Sequence, residues 1–167
     1  ATVTEAPSAI ALSHSVIDEH VIAGSTVGTL SSTDVDTSDT FEYSLVSGTG
    51  AKDNALFTID GNALKIKSSP DFETESSYSV RIKTTDQGGL SSEEVFTISI
   101  TNVNEAPTAI ALSNSVIDEN VTANSVVGSL SSTDADSGDT FTYSLASGVL
   151  DNNSFSISGS DLTINAS

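Results

Sequence analysis

The stretch SYSVRIKTTD, from Ser77 to Asp86, is followed after a short turn by EVFTISITNV, from Glu94 to Val103. Apolar and polar side chains alternate along both runs, which is the pattern of a strand with one buried face. The intervening Asp86-Gln87-Gly88-Gly89 consists of residue types that reverse a chain tightly. The stretch therefore predicts a long β-hairpin whose two strands share one core.

Shorter alternating runs lie upstream of this hairpin. They are TVGTLSS (Thr26 to Ser32), TFEYSLV (Thr40 to Val46), LFTID (Leu56 to Asp60) and ALKIK (Ala63 to Lys67). Asp60-Gly61-Asn62 predicts a turn between the last two. With AIALS and SVIDE near the N-terminus, about seven strands fall within roughly 100 residues, as in an immunoglobulin-like sandwich. We therefore expect an all-β Greek-key sandwich, and no stretch has a helical period.

The chain contains an internal repeat. EAPSAIALSHSVIDEH, beginning at Glu5, recurs as EAPTAIALSNSVIDEN, beginning at Glu105, and 32 of the 44 positions from Glu5 to Gly48 are identical in the second copy. The copies are therefore a tandem duplication. Nothing in the second copy corresponds to Ser68 to Val103 of the first, so we expect its last two strands to be absent.

These boundaries predict four segments. They are a remnant of an upstream linker (1–6), a first repeat (7–101), a linker (102–106) and an incomplete second repeat (107–167). Residue 1 is alanine, and no charged segment followed by an apolar one comes after it, so we expect the chain to be part of a longer protein, with any signal peptide or anchor outside it. The incomplete repeat would have open strand edges and a half-covered core, so either this half is poorly ordered or strands from another chain complete it.

Composition limits the possible partners. The chain has 23 acidic and 5 basic residues and a net charge of -18, which makes nucleic acid and anionic membrane surfaces poor partners. No apolar run approaches the roughly 20 residues that span a bilayer, and no cysteine is present for a disulfide or thiolate site. Metal cations are the favoured partners.

Most of the acids occupy strand ends and loops, and the repeat preserves many of them. The preserved sets are Asp18-Glu19 with Asp118-Glu119, and Asp34-Val35-Asp36 with Asp134-Ala135-Asp136, with Asp39 and Asp139 just beyond. In an extended D-x-D segment both carboxylates point to the same side and can face one ion. Carboxylate oxygens suit Ca²⁺. An EF-hand is excluded, because Leu45 stands where its loop needs a glutamate.

Further acids complete an ordered set of motifs: Asp71-Phe72-Glu73, Asp86, and the linker Asn102-Val103-Asn104-Glu105-Ala106-Pro107. In this order the motifs resemble those of cadherin-like domains of the bacterial adhesin type. The resemblance implies calcium ions clamped between consecutive repeats. The implied ligands are Glu19, Asp71, Glu73, Asn102, Asn104, Glu105, Asp134 and Asp136, with a weaker upstream half-site of Glu5, Asp34, Asp36 and Asp86.

The expected function is therefore a calcium-binding, extracellular or cell-surface repeat module of a large adhesin. It would act as a calcium-stiffened spacer or mediate adhesion, with neighbouring repeats, another copy of the protein or cell-surface glycans as partners. No nucleophile or acid–base set stands apart from the metal motifs, so an enzyme is not expected. The alternative is a carbohydrate-binding module of a secreted hydrolase or matrix protein, although the chain has no tryptophan and only three tyrosines for sugar stacking.

Overall fold

The structure, a computed structural model, describes residues 4–165, so the expected upstream linker is described only from Thr4 onward. The chain divides into two compact units, Ala1–Val103 and Asn104–Ser167. Each unit is described by itself below. Among residues 4–165, no helix has the length and apolar character needed to cross a membrane.

The first unit is a sandwich of two four-stranded sheets. Its strands are β1 (Ala9–Leu12), β2 (Val16–Asp18), β3 (Thr26–Thr33), β4 (Phe41–Leu45), β5 (Phe57–Asp60), β6 (Ala63–Ile66), β7 (Ser77–Asp86) and β8 (Ser91–Thr101). One sheet has the order β1-β3-β6-β5 and the other β2-β8-β7-β4. The predicted hairpins β5–β6 and β7–β8 are both confirmed. Eight strands form, one for each of the alternating segments named above, and the two N-terminal segments, AIALS and SVIDE, belong to different sheets.

The division occurs at Ser13. Strand β1 pairs with β3, whereas β2 runs parallel to β8 in the other sheet. At the crossing, the Ser13 hydroxyl accepts a hydrogen bond from the Thr29 N–H at 2.9 Å. Gly28 allows the close approach, since a Cβ at this position would lie 2.5 Å from the carbonyl oxygen of His14. The repeat keeps this glycine as Gly128, where a Cβ would meet the Asn114 carbonyl in the same way.

The β7–β8 hairpin provides much of the core of the first unit. Its buried apolar residues are Tyr78, Val80, Ile82, Ile98 and Ile100. Across the sandwich, the rings of Phe57 and Tyr78 meet edge to face with centroids 5.8 Å apart. Ile17 also belongs to the core, although its three-residue strand is too short to show a period.

The second unit has one sheet within residues 104–165. Its strands are β9 (Ala109–Leu112), β10 (Val126–Thr133), β11 (Phe155–Ser158) and β12 (Asp161–Ile164), in the order β11-β12-β10-β9. This is the arrangement of β1, β3, β5 and β6 in the first unit. Residues 116–118 and 141–145 are not strands, although they match β2 and β4 at all but one position.

The partners of these segments explain the difference. In the first unit β2 pairs with β8 and β4 pairs with β7, and residues 104–165 contain no counterpart of that hairpin. Strand formation here depends on pairing and packing more than on local sequence. The core shows the same effect, because Ile10 is 5% exposed and its counterpart Ile110 is 70% exposed.

Replacing these two isoleucines by alanine gives a matched comparison. Ile10→Ala is expected to destabilise the first unit by about 2–4 kcal/mol, because it removes a buried side chain and leaves a cavity. Ile110→Ala should change the stability of the second unit by less than about 1 kcal/mol, because its side chain is already in water. Hydrogen exchange of the two units under increasing urea measures both; equal losses would contradict the packing described.

Candidate metal centres

Glu19 is a buried acid at the end of β2, with 2% of its surface exposed. Its Oε1 accepts a hydrogen bond from the Val103 N–H at 2.7 Å, and its Oε2 accepts one from the Phe72 N–H at 2.8 Å. The carboxylate therefore joins the end of β2 to the segment before β7 and to the segment after β8. His20 lies beside it, with Nε2 at 3.7 Å from Oε2.

These contacts favour the ionised form of Glu19. The Val103 N–H and then the Phe72 N–H lower the pKa of Glu19 below that of free glutamate, and His20 acts in the same direction. Burial and the charge of Asp71 oppose them without reversing the shift. Glu19 is thus held as a carboxylate at neutral pH.

Glu19, Asp71 and Glu73 form what we call the lower cluster of the first unit. One carboxylate oxygen from each lies within 4.8 Å of the others. The Asp71-Phe72-Glu73 segment is a turn and not an extended segment. Phe72 packs against the core, and Asp71 Oδ1 accepts the Thr74 N–H at 2.9 Å. The turn, fixed by these contacts, brings the two acids to Glu19.

Asn102 also reaches the lower cluster, because its Nδ2 donates to Glu73 Oε1 at 3.1 Å. The predicted inter-repeat ligands that belong to the first unit are therefore gathered at one end of the sandwich; they are Glu19, Asp71, Glu73 and Asn102. Asn102 presents a donor to Glu73 here, and a cation at this cluster would instead require its amide oxygen.

The opposite end of the first unit holds an upper cluster of Asp34, Asp39 and Asp86, again with one carboxylate oxygen from each within 4.8 Å of the others. Asp86 ends β7 and is 5% exposed. Its Oδ1 accepts the Leu90 N–H of the β7–β8 turn at 2.9 Å. Asp39 is positioned by Gln87, whose Nε2 donates to Asp39 Oδ1 at 2.9 Å.

The second oxygen of each acid in the upper cluster has no such partner. Oδ2 of Asp34, Asp39 and Asp86 is buried without a hydrogen bond from any described residue. A buried carboxylate oxygen normally accepts hydrogen bonds, because losing water without a replacement costs several kcal/mol. Three such oxygens in one group form a negatively charged set of ligands suited to a cation.

The second unit has its own group, the Asp134 cluster, which consists of Asp134, Asp136 and Asp139. Asp136 is 8% exposed, and its Oδ2 accepts the Glu105 N–H at 2.6 Å. Asp134 Oδ2 is buried without a partner among the described residues, as in the first unit. Nearby, Asn104 donates its side-chain N–H to the Glu105 carbonyl at 2.9 Å.

Two members of these groups, Asp39 and Asp139, were absent from the predicted ligand set. The repeat preserves this position as aspartate in both copies, and this preservation is the sequence feature that could have added the two residues to the predicted set. Conversely, the predicted upstream half-site includes Asp36 and Glu5, and both lie outside the upper cluster. Asp36 instead contacts Glu5, because its Oδ2 accepts the Glu5 N–H at 3.1 Å. Asp34 and Asp36 occupy a loop, where Asp34 Oδ1 accepts the Asp36 N–H, so the D-x-D segment is not extended.

The donor chemistry of the three groups is uniform, because each consists of carboxylates alone. Oxygen-only sets rich in carboxylates suit Ca²⁺, whereas Zn²⁺ and other transition metals prefer imidazole or thiolate. Mg²⁺ keeps more of its waters and usually takes one or two carboxylates. The residues present therefore fit Ca²⁺ best among common cations.

Comparison with known proteins shows the fold. The chain matches no protein-family model and no curated protein. Its structure is similar to human protocadherin-24 EC1–2, with 17% identity over 96% of this chain and 79% of that one, at a TM-score of 0.70. It is also similar to the human desmocollin-1 ectodomain, with 20% identity over 95% of this chain and 33% of that one, at a TM-score of 0.63.

A third similar structure contains extracellular cadherin domains 1–4 of protocadherin gamma B7, with 24% identity, a TM-score of 0.57, and coverage of 94% of this chain and 41% of that one. This chain thus spans about two fifths of that structure. At these identities the likeness shows the fold alone. The predicted all-β sandwich is confirmed, and it is the fold of cadherin extracellular domains.

The lowered pKa of Glu19 predicts a pH dependence of stability. A depressed folded pKa stabilises the protein above the unfolded pKa, about 4.3 for glutamate, and this stability is lost as the pH falls through the folded value. In chelator, Glu19→Gln should therefore be less stable than wild type at pH 7, and the gap should narrow below about pH 4.5. Urea unfolding across this range measures the gap; a gap independent of pH would contradict the assignment.

Proposed function

We propose that this chain is a calcium-binding extracellular module of a surface or secreted adhesin, stiffened by the ions that it binds. The observation that carries the proposal is the set of unpartnered, buried carboxylate oxygens on Asp34, Asp39 and Asp86. The cadherin-like fold is consistent with this role. Calcium is the cation that the all-carboxylate chemistry of the clusters favours.

Electrostatics make the clusters unfavourable without a cation. Two unit charges 4.8 Å apart repel by roughly 3 to 4 kcal/mol at an effective dielectric constant of about 20, and each cluster contains three such pairs if all its acids are ionised. A divalent cation among them converts this repulsion into attraction. Folding and calcium binding would therefore be coupled at each end of the first unit.

Calcium would stiffen the chain by restricting the short segment Asn102–Glu105. The Asn102 side chain contacts Glu73 of the lower cluster, and the Glu105 N–H contacts Asp136 of the Asp134 cluster. Ions at these two clusters would each fix one end of the segment, so calcium would restrict the linker. This is the proposed basis of the spacer role, with neighbouring repeats as the first partners.

Adhesion to another copy of the protein or to cell-surface glycans is part of the same proposal, and no catalytic role is assigned. Among the described residues no cluster of titratable side chains lies apart from the ion pairs and the acidic groups in a way that would support catalysis. A glycan array separates the adhesive options, because the spacer role alone predicts no retained sugar. Retention that survives chelation would favour the carbohydrate-binding alternative.

Calcium should raise the melting temperature of both units. Extracellular calcium modules bind with Kd of about 10⁻⁴ to 10⁻³ M, so 10 mM calcium would stabilise a site of Kd about 10⁻⁴ M by roughly 2.7 kcal/mol. Glu73→Ala should reduce the calcium effect on the first unit, and Asp134→Ala the effect on the second. Differential scanning calorimetry with calcium and with chelator measures these shifts.

Matched controls are available in the preserved Asp18 and Asp118, which lie outside the three-acid groups. Asp18→Ala and Asp118→Ala remove the same charge from the same units and should leave the calcium shift intact. If all four variants lose the shift equally, the effect is one of net charge, and the assigned sites are wrong. If the wild type shows no shift, the proposed function fails.

A further inference from the structure

Two backbone N–H groups of the Asn102–Glu105 segment are held by buried carboxylates. The Val103 N–H donates to Oε1 of Glu19 at 2.7 Å, within the first unit. The Glu105 N–H donates to Oδ2 of Asp136 at 2.6 Å, within the second unit. Glu19 is 2% exposed and Asp136 is 8% exposed, so both acceptors are shielded from water, which strengthens these hydrogen bonds. We call the two contacts the carboxylate anchors.

Each acceptor is itself held in place by its own unit. The second oxygen of Glu19 accepts the Phe72 N–H at 2.8 Å. The backbone N–H of Asp136 donates to Oδ1 of Asp134 at 3.1 Å. Hydrogen bonds to an ionised carboxylate are roughly twice as strong as those to a neutral acceptor. The anchors therefore fix the backbone on either side of Asn104 through protein groups alone.

The repeat supplies an independent copy of the second anchor. The Glu5 N–H donates to Oδ2 of Asp36 at 3.1 Å, and in both copies Ala-Pro follows the glutamate. The next N–H then donates at 2.8 Å to the last residue of a strand; the pairs are Ser8 with Thr33 and Thr108 with Thr133. Because proline restricts both itself and the residue before it, the chain is held from the glutamate to the first strand of each repeat.

Asn104 is the residue that lies between the two anchored N–H groups. It is exposed, and its side-chain N–H donates to the Glu105 carbonyl at 2.9 Å. No backbone carbonyl within residues 4–165 accepts its own N–H. The boundary between the two compact units also falls between Val103 and Asn104. The backbone torsions of Asn104 are therefore the least restrained of the segment.

We propose that the carboxylate anchors confine the flexibility of the calcium-free linker to a pivot at Asn104. Glu19 and Asp136 are then positioning residues for the linker backbone, and Asp36 has the same role for Glu5. The anchors need no cation, because N–H groups of the chain already occupy the carboxylates. A carboxylate has about four lone-pair positions, so a cation can bind the same acids while the N–H contacts persist.

A pivot of one residue also reduces the cost of stiffening the linker with calcium, and this step rests on the proposed function. With the anchors formed, ions at the lower cluster and at the Asp134 cluster need to restrain only the torsions of Asn104. Fixing the backbone of one residue loses less conformational entropy than fixing all of Asn102–Glu105. Calcium would therefore act on a linker that is already mostly ordered.

Hydrogen exchange of the full ¹⁵N-labelled chain in chelator tests the anchors. The Val103 and Glu105 amides should exchange about tenfold or more slowly than the Asn104 amide, after correction for intrinsic rates. Asp136→Ala should remove the protection of Glu105. Asp136→Asn, whose amide oxygen can still accept the bond, should keep Glu105 at least about threefold more protected than Asp136→Ala does. Asp118→Ala is the matched control, because it removes an acid of the same unit and should leave Glu105 unchanged.

The first anchor is tested in the same way with Glu19→Ala, which should remove the protection of Val103. The core amide of Val80 serves as the reference, and it should stay protected. If Glu19→Ala also exposes Val80, the two Asp136 variants decide. Val103 and Glu105 amides that exchange as fast as Asn104 in wild type would overturn the proposal, and so would equal protection of Glu105 in wild type and Asp136→Ala.

Calcium forms a separate arm, measured by ¹⁵N relaxation. Calcium should raise the order parameter of the Asn104 N–H and leave those of Val103 and Glu105 nearly unchanged, at about 0.8 or above in both conditions. Anchors that form only in calcium would contradict the pivot and leave the proposed function intact. Anchors in chelator with no calcium effect at Asn104 would support the pivot and contradict the stiffening role of calcium.

Discussion

The pairing of the β7–β8 hairpin with its neighbours is the interaction on which the first unit depends. The hairpin lies at the centre of its sheet, between β2 and β4, and supplies five buried core residues. Strand β7 alone has ten residues, which at about 3.3 Å per residue is roughly the full height of the sandwich. The hairpin therefore reaches both acidic ends of the unit.

Each end of the hairpin fixes one cluster. At the turn, Asp86 joins Asp34 and Asp39 and is held by the Leu90 N–H. At the other end, the chain leaving β8 places the Val103 N–H on Glu19. Because one hairpin carries an acid of the upper cluster at one end and supports the lower cluster at the other, the proposed calcium binding and core packing are expected to strengthen each other. The second unit, without a described hairpin, shows the contrast: its sheet forms, and the segments that need the hairpin do not pair.

The sequence predicts the regular part of this architecture well, for a simple reason. Alternation in Ser77 to Asp86 and the Gly61 turn are local signals, and both hairpins follow from them. The repeat also shows which acidic positions are the same in both copies, and these positions include members of the acidic clusters. Local signals fail where pairing decides the outcome. Segment 116–118 has the sequence of β2 but no strand pairing within residues 4–165, and Ile17 is buried by a parallel pairing with β8 that no local pattern reveals.

The site shows the same limit. The motif order identified Glu19, Asp71, Glu73 and Asp134, but side-chain direction in loops depends on turns that the motif does not specify. Asp39 enters the upper cluster because Gln87, distant in sequence, holds it there. Asp36 instead accepts the Glu5 N–H. The acids that gather at the ends of the units could thus be predicted in part from sequence, whereas the membership of each group required the turn geometry.

Direct measurement of bound calcium tests the central claim, that the buried carboxylates are cation ligands. In equilibrium dialysis at 5 mM free calcium, the wild-type chain should bind calcium saturably with Kd of about 10⁻⁴ to 10⁻³ M. An Asp34→Asn/Asp86→Asn variant should bind fewer ions per chain, and magnesium at equal concentration should displace little. Weak, unsaturable binding that is equal in wild type and variant would contradict the account.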